Sequence, residues 1–235
     1  MPAQILVTGA SRGIGAAIAT AFIHSGRVVI GHASVGSADL IGMDLALPGA
    51  GDRLWDAALD RAGGRIDVLV NNAGVFEGVG LDASDDDWST AWERSWRINL
   101  QSAADLCRRA VLHFQANGGG RIVNVASRAA FRGDSPAHWH YAAAKAGMIG
   151  MTRTIARGYA ADNILAFAVA PGFTMTGMAE DYLNSRGGDA VLADIPLGRV
   201  ATPEEVAETV RWLALDAPPS LTGSVLDVNG ASYVR

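Results

Sequence analysis

The sequence contains very little cysteine and lysine. Its 235 residues include a single cysteine, Cys107, so no disulfide can form within the chain and zinc sites built from several cysteines are excluded. The five histidines show no HExxH-type spacing, and we predict no metal site. Of the 19 basic residues, 18 are arginines and one is a lysine, Lys145. Because arginine fills every other cationic position, Lys145 marks a site where the smaller ammonium group is needed.

The sequence also lacks a strong net charge and a long apolar run. The formal net charge is -5, which argues against nucleic acid or an anionic membrane as a partner. The longest clean apolar run, Ile164 to Ala170, is far shorter than the ~18 residues of a membrane span. No basic and apolar leader follows Met1, and one cysteine fits a reducing compartment. We therefore expect a cytoplasmic protein.

The stretch with the clearest chemistry is YAAAK at 141–145. Three alanines, the strongest helix formers, separate a phenol from an amine, so the stretch is predicted to be helical. Residues i and i+4 lie on one face of a helix, and the Tyr141 hydroxyl and the Lys145 ammonium can therefore share a pocket. A nearby positive charge lowers the pKa of a phenol and favours proton exchange with an alcohol or carbonyl oxygen. The alternative is an ordinary surface pair.

Short apolar runs alternate with amphipathic segments along the chain. We predict strands at 5–7, 28–30, 40–43, 66–70, 121–126, 164–170 and 224–228, and helices at 13–23, 52–62, 86–114, 140–159 and from 202 onward. Continuous apolar strands separated by helices predict a parallel sheet that is covered on both faces. Ligands bind to such sheets at the carboxyl ends of the strands, so these ends are where functional residues are expected.

The first predicted strand runs into a glycine-rich turn, TGASRGIG at 8–15. Its spacing is G-x-x-x-G-x-G, but Gly9 still permits a tight turn, and the helix that follows offers its N-terminal amides to a pyrophosphate. The second predicted strand leads into 31–34, where no acid is present to bind the ribose hydroxyl of NAD. Arg12 lies where the 2'-phosphate of NADP would be. We predict NADP(H) as the cofactor, with NAD(H) as the alternative.

Polar or turn-forming residues follow the remaining strands as well. Asp44 could accept a hydrogen bond from the adenine amino group, or could be an ordinary turn residue. The stretch 71–74 would lie beside the adenosine ribose, and the turn at 171–176 could approach the nicotinamide. Ser127 supplies a hydroxyl after the fifth strand. Asn99 is a poor helix former within a predicted helix, which indicates a kink or a bound water there.

Taken together, these motifs resemble the short-chain dehydrogenase/reductase family over essentially the whole chain. The resemblance is carried by TGxxxGIG at 8–15, NNAG at 71–74, Asn99, Ser127, YxxxK at 141–145 and PG at 171–172, which occur in the family's order. It implies an α/β protein with one domain over 1–235. The implied architecture is a Rossmann fold, a doubly wound and mostly parallel seven-stranded sheet with helices on both faces.

The resemblance also implies roles for individual residues. Tyr141 would be the general acid/base, and Lys145 would lower its pKa and hold the ribose hydroxyls. Ser127 would bind the substrate oxygen, Asn99 would anchor a water-linked proton relay through Lys145, and Thr176 would contact the nicotinamide. The predicted cofactor contacts are Gly9, Ser11, Arg12, Gly13, Ile14, Gly15, His32, Ser34, Asp44, Leu45, Asn71, Ala73, Gly74, Tyr141, Lys145, Pro171, Gly172, Thr174 and Thr176.

Two stretches depart from the family pattern. The spacing from Ser127 to Tyr141 is one residue longer than usual, so 128–140 must bulge beside the substrate. Ser135, which lies in a Gly-Asp-Ser-Pro turn, is a weaker alternative to Ser127. The region 31–51, which would surround the adenine, is short.

The substrate is predicted less closely than the chemistry. The stretches at 195–199 and 226–231 are similar to those of bacterial 3-oxoacyl-(acyl-carrier-protein) reductases, so we expect reduction of a ketone, with a 3-oxoacyl thioester as one candidate. The first alternative is a dehydrogenase or reductase of a small alcohol, sugar or cyclic ketone that uses NAD(H). The second is a cofactor-binding regulator without catalysis. An acidic carrier protein would need a basic docking patch, and the candidates are Arg128, Arg132 and Arg153.

Two further predictions concern apolar side chains. The stretch at about 173–200 could form an adaptable lid over the substrate or pack on the core, through Met175, Met178, Tyr182 and Leu183. Tryptophans recur every four residues at Trp88, Trp92 and Trp96, which is typical of a helical stripe in a core or an interface. The family resemblance implies a homotetramer or homodimer that pairs through the helix at 86–114 and the Tyr141 helix.

Overall fold

Seven strands form one sheet in the computed structural model of the protein, which describes residues 2–176 and 188–234. They are β1 (Gln4–Val7), β2 (Val28–Ala33), β3 (Leu40–Gly42), β4 (Val68–Asn71), β5 (Gly120–Val125), β6 (Ile164–Pro171) and β7 (Val225–Val228). The order across the sheet is β3-β2-β1-β4-β5-β6-β7, and each of these pairings is parallel. The strand order reverses between β1 and β4, where a doubly wound sheet opens its ligand crevice. The predicted fold is confirmed.

Helices cover both faces of this sheet. They are α1 (Gly13–His24), α2 (Ala50–Arg61), α3 (Asp85–Trp96), α4 (Ser102–Ala116), α5 (Ala129–Arg132), α6 (Trp139–Tyr159), α7 (Gly188–Ala193) and α8 (Pro203–Leu215), with short 3₁₀ turns at Ala160–Asp162 and Pro219–Leu221. The short α5 and α7 were not predicted. The start of α8 was predicted. Thr202 Oγ1 accepts from Glu205 N at 3.3 Å, and the Glu205 carboxylate accepts from Thr202 N at 2.8 Å, which forms a capping box. Within the described ranges, no helix has the length and apolar character needed to cross a bilayer.

Apolar side chains of the strands alternate between two cores. In β1, Ile5 and Val7 pack with α1 and α8 on one face, whereas Leu6 packs with α2 and α4 on the other. Phe22 of α1 and Trp55 of α2 are fully buried in these two cores. Each such side chain stabilises the fold by roughly 1.5–3 kcal/mol through its burial. The two cores hold the strands in place, and with them the carboxyl ends of the strands, where the predicted functional residues lie.

The predicted helix at 86–114 is continuous but not uniform. Helices α3 and α4 are joined by a π-helical segment, Arg97–Gln101. A π turn inserts one extra residue, and such turns are frequent at functional sites. Asn99 lies in the middle of this segment and is fully buried. The sequence predicted a kink or a bound water at Asn99, and the helix changes to a π turn there.

The connection between β2 and β3 is short for two parallel strands. Such a crossover usually takes a dozen or more residues and contains a helix, but only 34–39 join these two strands. The loop turns tightly because Gly36 and Gly42 touch: a Cβ on Gly42 would lie 2.5 Å from Gly36 N. Arg61 of α2 fastens the loop by donating to Asp39 O at 3.3 Å. The edge of the sheet at β2 and β3 is therefore open.

Candidate active site

Three polar side chains meet beyond the carboxyl end of β5. Ser127 lies two residues past this strand, and Tyr141 and Lys145 project from the first turns of α6. The Ser127 hydroxyl lies beside the Tyr141 phenol, whose pKa it lowers. Lys145 Nζ lies 5.9 Å from the centroid of the Tyr141 ring and donates to Val125 O at 2.8 Å. The helical i, i+4 spacing thus brings the phenol and the ammonium to one pocket, as the sequence predicted.

Burial sets the protonation of both groups. It raises the pKa of Tyr141 to about 12, with a smaller raising effect from Asp134 and an opposing one from the Ser127 hydroxyl. It also lowers the pKa of Lys145 to about 8. The net shift of Tyr141 is opposite to the predicted one, because removal of the phenolate from water dominates, and the ammonium that was expected to lower the pKa bonds to Val125 O. The phenol is therefore protonated at neutral pH.

Asn99 lies at the same end of the crevice, next to Lys145. Its Oδ1 accepts from Val75 N, and its Nδ2 donates to Val75 O and to Ser95 Oγ, each at 3.0 Å. Gly74 separates Asn99 from Lys145: a Cβ on Gly74 would lie 2.8 Å from Asn99 Oδ1 and 3.6 Å from Lys145 Nζ. Only a glycine leaves the carboxamide and the ammonium in these positions.

The segment between β5 and α6 explains the longer spacing from Ser127 to Tyr141. It contains the extra helix α5 and a turn in which Ser135 Oγ is 2.7 Å from His138 Nδ1. Ser135 is thus paired with His138, and the side chain that reaches Tyr141 is Ser127. His138 in turn stacks on Phe76, with ring centroids 3.8 Å apart, and Phe76 contacts the Tyr141 ring at 4.9 Å. An aromatic wall of Phe76 and His138 therefore stands beside the phenol.

Arg128 and Arg132, two members of the predicted docking patch, are engaged within the protein. Both form ion pairs with Asp194, at 3.4 and 2.6 Å, and Arg128 also lies over the Phe173 ring at 5.3 Å. The Arg128 side chain is only 11% exposed. Arg153 lies on the exposed side of α6. Asp194 thus offsets part of the charge of Arg128 and Arg132, and their role as docking candidates for an acidic carrier protein stays a prediction.

The glycine loop and α1 form the part of the crevice that suits a pyrophosphate. Gly9 has a φ of +66°, which favours glycine, and a Cβ on Gly15 would overlap Gly9 O. Helix α1 begins without a side-chain cap and without an acidic residue in its first turn. Its first amides and its positive dipole end are therefore free to bind an anion. A dinucleotide fits this loop.

Asn72, which the sequence analysis did not single out, holds this loop in place. Its Nδ2 donates to Thr8 O at 3.0 Å and to Gly9 O at 3.2 Å, and the amides of Asn72 and Ala73 donate to Thr8 Oγ1 at 2.9 and 3.0 Å. By contrast, the Asn71 side chain is buried and donates to Asn124 Oδ1 at 2.8 Å. The Asn71 side chain thus belongs to the core, and a cofactor contact of Asn71 stays a prediction for its backbone alone. The two consecutive asparagines in the sequence were the signal that could have pointed to Asn72.

Arg12, in the loop between β1 and α1, and Ser34, just past β2, are both exposed, which suits recognition of a 2'-phosphate. Asp44 Oδ1 accepts from Ala46 N at 2.9 Å, the turn that was the alternative to an adenine contact. Leu45 is buried against α2. The His32 ring was predicted to contact the cofactor, but both of its nitrogens bind backbone groups, so it is not free to bind a ligand through them.

The turn after β6 closes the crevice on the other side. Gly172 approaches Asn229 so closely that a Cβ would lie 2.8 Å from the Asn229 Cβ. Thr174 is buried and donates to Gly172 O at 3.3 Å. Thr176 reaches α1, where a Cβ on Gly13 would lie 3.1 Å from Thr176 Cγ2. Of the predicted lid, Met178, Tyr182 and Leu183 lie outside the described residues.

The tryptophan stripe packs against the start of α6. Trp88 contacts Trp92 and Trp139, with ring centroids 5.9 and 5.8 Å apart, and Trp92 contacts His140 at 5.8 Å. Trp96 is 44% exposed. The stripe thus supports the helix that carries Tyr141, and its last member reaches the surface.

Comparisons with known proteins agree with this geometry. A family profile described as "Enoyl-(Acyl carrier protein) reductase" matches residues 9–231. The chain is 36% identical to the 3-oxoacyl-[acyl-carrier-protein] reductase FabG of Vibrio cholerae, over 97% of this chain and 96% of that one. The chain belongs to the short-chain dehydrogenase/reductase family. It is thus an NAD(P)-dependent oxidoreductase, and its Rossmann sheet and ordered motifs are those of the family.

Two other members of the family are informative. The chain is 39% identical to the cis-4-hydroxycyclohexanecarboxylate dehydrogenase of Sinomonas cyclohexanicum, over 96% of this chain and 94% of that one. A solved structure described as an NAD(P)-dependent gluconate 5-dehydrogenase from Beutenbergia cavernae, with bound NADP, superposes with a TM-score of 0.87. It is 32% identical and covers 98% of this chain and 96% of that one. Similar chains therefore act on substrates of different shapes.

Proposed function

We propose that the protein reduces a ketone to a secondary alcohol with NADPH, using Tyr141 as the acid. The proposal rests on the position of the Tyr141 phenol, which lies beside the Ser127 hydroxyl and the buried Lys145 ammonium. A phenol with a pKa of about 12 holds its proton at neutral pH. Reduction of a carbonyl requires a proton donor, and the protonated phenol of Tyr141 can supply that proton.

Each residue has a defined part in this reaction. The cofactor, when bound, would supply the hydride for the carbonyl carbon. The Ser127 hydroxyl binds the carbonyl oxygen, and Tyr141 donates its proton to that oxygen, which leaves a phenolate. The Lys145 ammonium, 5.9 Å from the ring centroid, stabilises this phenolate. Asn99, next to Lys145 across Gly74, holds a water through which the proton is replaced.

The proposed cofactor contacts lie on the loops already described. The loop from Gly9 to Gly15 with Ser11 and Ile14 would hold the pyrophosphate, and Lys145 has two ammonium protons left for the ribose hydroxyls. Arg12 and Ser34 would bind the 2'-phosphate. NADPH is supported by this exposed arginine, by the lack of an acid at 31–34 and by the NADP in the related solved structure. NADH remains the alternative.

A cyclic or otherwise small ketone is the second candidate substrate, beside a 3-oxoacyl thioester. It is favoured by the stacked Phe76 and His138 rings next to Tyr141, and by the pairing of Arg128 and Arg132 with Asp194. A small apolar ring can pack against aromatic side chains. An acyl carrier protein would find fewer free charges near the site, with Arg153 the remaining exposed candidate.

The test is a steady-state assay of NADPH and NADH oxidation with an acetoacetyl thioester and with 4-oxocyclohexanecarboxylate. We expect kcat/KM to favour NADPH by roughly 10- to 100-fold, as for one charge-assisted contact. Arg12→Ser should abolish this preference, whereas Arg153→Ser, at an exposed position on α6, should not change it. Binding of NADPH without turnover of either ketone would instead support a regulator.

We also infer a homotetramer or homodimer that pairs through α3, α4 and α6. Exposed apolar side chains on the first two helices support it: Trp96 is 44% and Leu112 is 56% exposed. Light scattering of the wild-type protein and of Leu112→Glu would test this interface, since the charge should shift the assembly to smaller species. A cytoplasmic location stays a prediction, supported by the single free thiol of the described chain, Cys107.

A further inference from the structure

His32, at the end of β2, is buried between the glycine loop and β3. It is 2% exposed. Two successive amides of the glycine loop bind to this one residue: Ala10 N donates to His32 O at 2.7 Å, and Gly9 N donates to His32 Nδ1 at 3.2 Å. The other ring nitrogen, Nε2, is 2.8 Å from Met43 O, just beyond β3. His32 therefore links the loop to the neighbouring strand.

These partners define the tautomer of the ring. An imidazole nitrogen that accepts from Gly9 N carries no proton, and a nitrogen that faces the Met43 carbonyl must donate one. The His32 ring is thus neutral, with its proton on Nε2. Burial lowers the pKa of His32, which keeps the ring in this neutral form.

The bond to Nδ1 completes the restraint of Gly9. This residue has a φ of +66°, and its carbonyl accepts from Asn72 Nδ2 at 3.2 Å. With its amide held by His32, both polar groups of its backbone are fixed. Gly9 also packs directly against Gly15, at the start of α1, since a Cβ on Gly15 would overlap Gly9 O. The direction of the free amides at the start of α1 therefore depends on Gly9.

We propose that His32 is a positioning residue that presets the glycine loop for the cofactor pyrophosphate, by accepting the Gly9 N–H rather than by touching the cofactor. This inference rests on the proposed binding of a dinucleotide at the loop. If the bond is lost, the loop holds its binding conformation for only a fraction of the time. The apparent Kd for the cofactor then rises by the inverse of that fraction.

Two substitutions separate the two bonds of the ring. In His32→Asn, the side-chain oxygen stands at the position of Nδ1 and keeps the bond to Gly9 N. In His32→Gln, the side-chain nitrogen stands at the position of Nε2 and keeps only the bond to Met43 O. We expect the Kd for NADPH, measured by equilibrium fluorescence titration, to rise about tenfold in His32→Gln, as for one unpaired buried amide. In His32→Asn it should change by less than about threefold.

His113 offers a matched control. Its Nε2 accepts from Ile66 N at 3.2 Å, the same kind of bond at the same length, but between α4 and a residue two positions before β4. His113→Asn should lower the melting temperature and leave the Kd for NADPH unchanged. A purely structural role for His32 would instead weaken NADPH binding to the same extent in His32→Asn and His32→Gln.

The outcomes distinguish this inference from the proposed function. If the wild-type protein does not bind NADPH, the proposed function fails. If the wild type binds NADPH and the two His32 variants bind it equally, the inference about His32 fails while the proposed function stands. A measurement on the unsubstituted protein is independent of folding of the variants: ¹⁵N NMR should find the His32 proton on Nε2, and a proton on Nδ1 would overturn the inference.

Discussion

The crevice is buried and closely packed at Tyr141, whereas at β2 and β3 it is open and held by loops. At the first end, Lys145 is 3% exposed and Asn99 is fully buried, and burial shifts the pKa of Lys145 and of Tyr141. At the other end, Arg12 and Ser34 are exposed and the crossover is only six residues, 34–39. The chemistry depends on removal of water, whereas recognition of a phosphate depends on a charge that can reach it.

Each end depends on a glycine that lies against its neighbours. Gly74 makes room for Asn99 beside Lys145, and Gly42 makes room for Gly36 in the short crossover. A substitution at the first position should therefore disturb the reaction, and one at the second should disturb cofactor binding. Substitutions of Tyr141 and Lys145, and then of Gly74 and Gly42, test this difference between the two ends.

The largest effect is expected from Tyr141→Phe. It removes the proton donor and keeps the ring contact with Phe76, so kcat should fall by about 10²- to 10⁴-fold while the protein stays folded. Steady-state kinetics and thermal melting measure the two effects. Tyr159→Phe, at the far end of α6, is the control and should leave kcat unchanged. A Tyr141→Phe enzyme with normal kcat would remove the acid role from this residue.

The buried ammonium should be visible in the pH dependence of stability. Burial lowers the pKa of Lys145 from 10.5 to about 8. Between these values the unfolded chain binds a proton that the folded protein does not, so the free energy of unfolding should rise with pH, by up to about 3 kcal/mol. Tyr141 acts in the opposite sense above pH 10, because its pKa rises from 10.0 to about 12.

Urea denaturation between about pH 7 and pH 10 tests this in the wild type and in Lys145→Met. The variant lacks the ionisable group and should show no Lys145-dependent rise. Equal slopes in the two proteins would mean that Lys145 is not buried as described.

Lys145→Arg tests whether a positive charge alone is enough at this position. The guanidinium cannot lose its charge and is larger than the ammonium, so kcat should fall to a small fraction of the wild-type value in steady-state assays.

An intermediate effect is expected from Gly74→Ala. The new Cβ would lie 2.8 Å from Asn99 Oδ1, so the carboxamide must move, and kcat should fall about tenfold with little change in the KM for NADPH. Gly150→Ala is the matched control, because a Cβ on this residue of α6 meets nothing within 4 Å. It should stabilise the helix by roughly 0.5–1 kcal/mol and leave kcat unchanged. Similar kinetics of both variants would argue against the role of Gly74.

The smallest effect is expected from Gly42→Ala. Its Cβ would lie 2.5 Å from Gly36 N, so the crossover must shift. We expect the KM for NADPH to rise about threefold while kcat is kept, since the catalytic end is remote. Gly158→Ala, where a Cβ meets nothing within 4 Å, should change neither constant. A fall in kcat for Gly42→Ala would show that the two ends are coupled.

Much of the fold and the site could be predicted from the sequence. Apolar runs gave the seven strands within a few residues, and the spacing of Tyr141 and Lys145 placed them in one pocket with Ser127. The irregular turn at Asn99 was indicated by the poor helix propensity of asparagine. Local periodicity and propensity suffice where a residue's position depends on its own segment.

Other features depended on partners that are distant in sequence. Nothing in 128–132 indicates that Arg128 and Arg132 would pair with Asp194, about 60 residues away. Nor does the sequence separate Asn71, which enters the core, from Asn72, which holds the glycine loop. Adjacent strand residues point to opposite sides, and only the packing decides which side is the core.

The sequence alone determined the parallel sheet, the glycine loop after its first strand and the pairing of Tyr141 with Lys145, because each follows from a local pattern. The tertiary structure decided the charges in that pair. A phenol beside an ammonium is expected to be acidic in water, yet burial raises the pKa of Tyr141 and lowers that of Lys145. Desolvation depends on everything that surrounds a group, and no segment of the chain carries that information by itself.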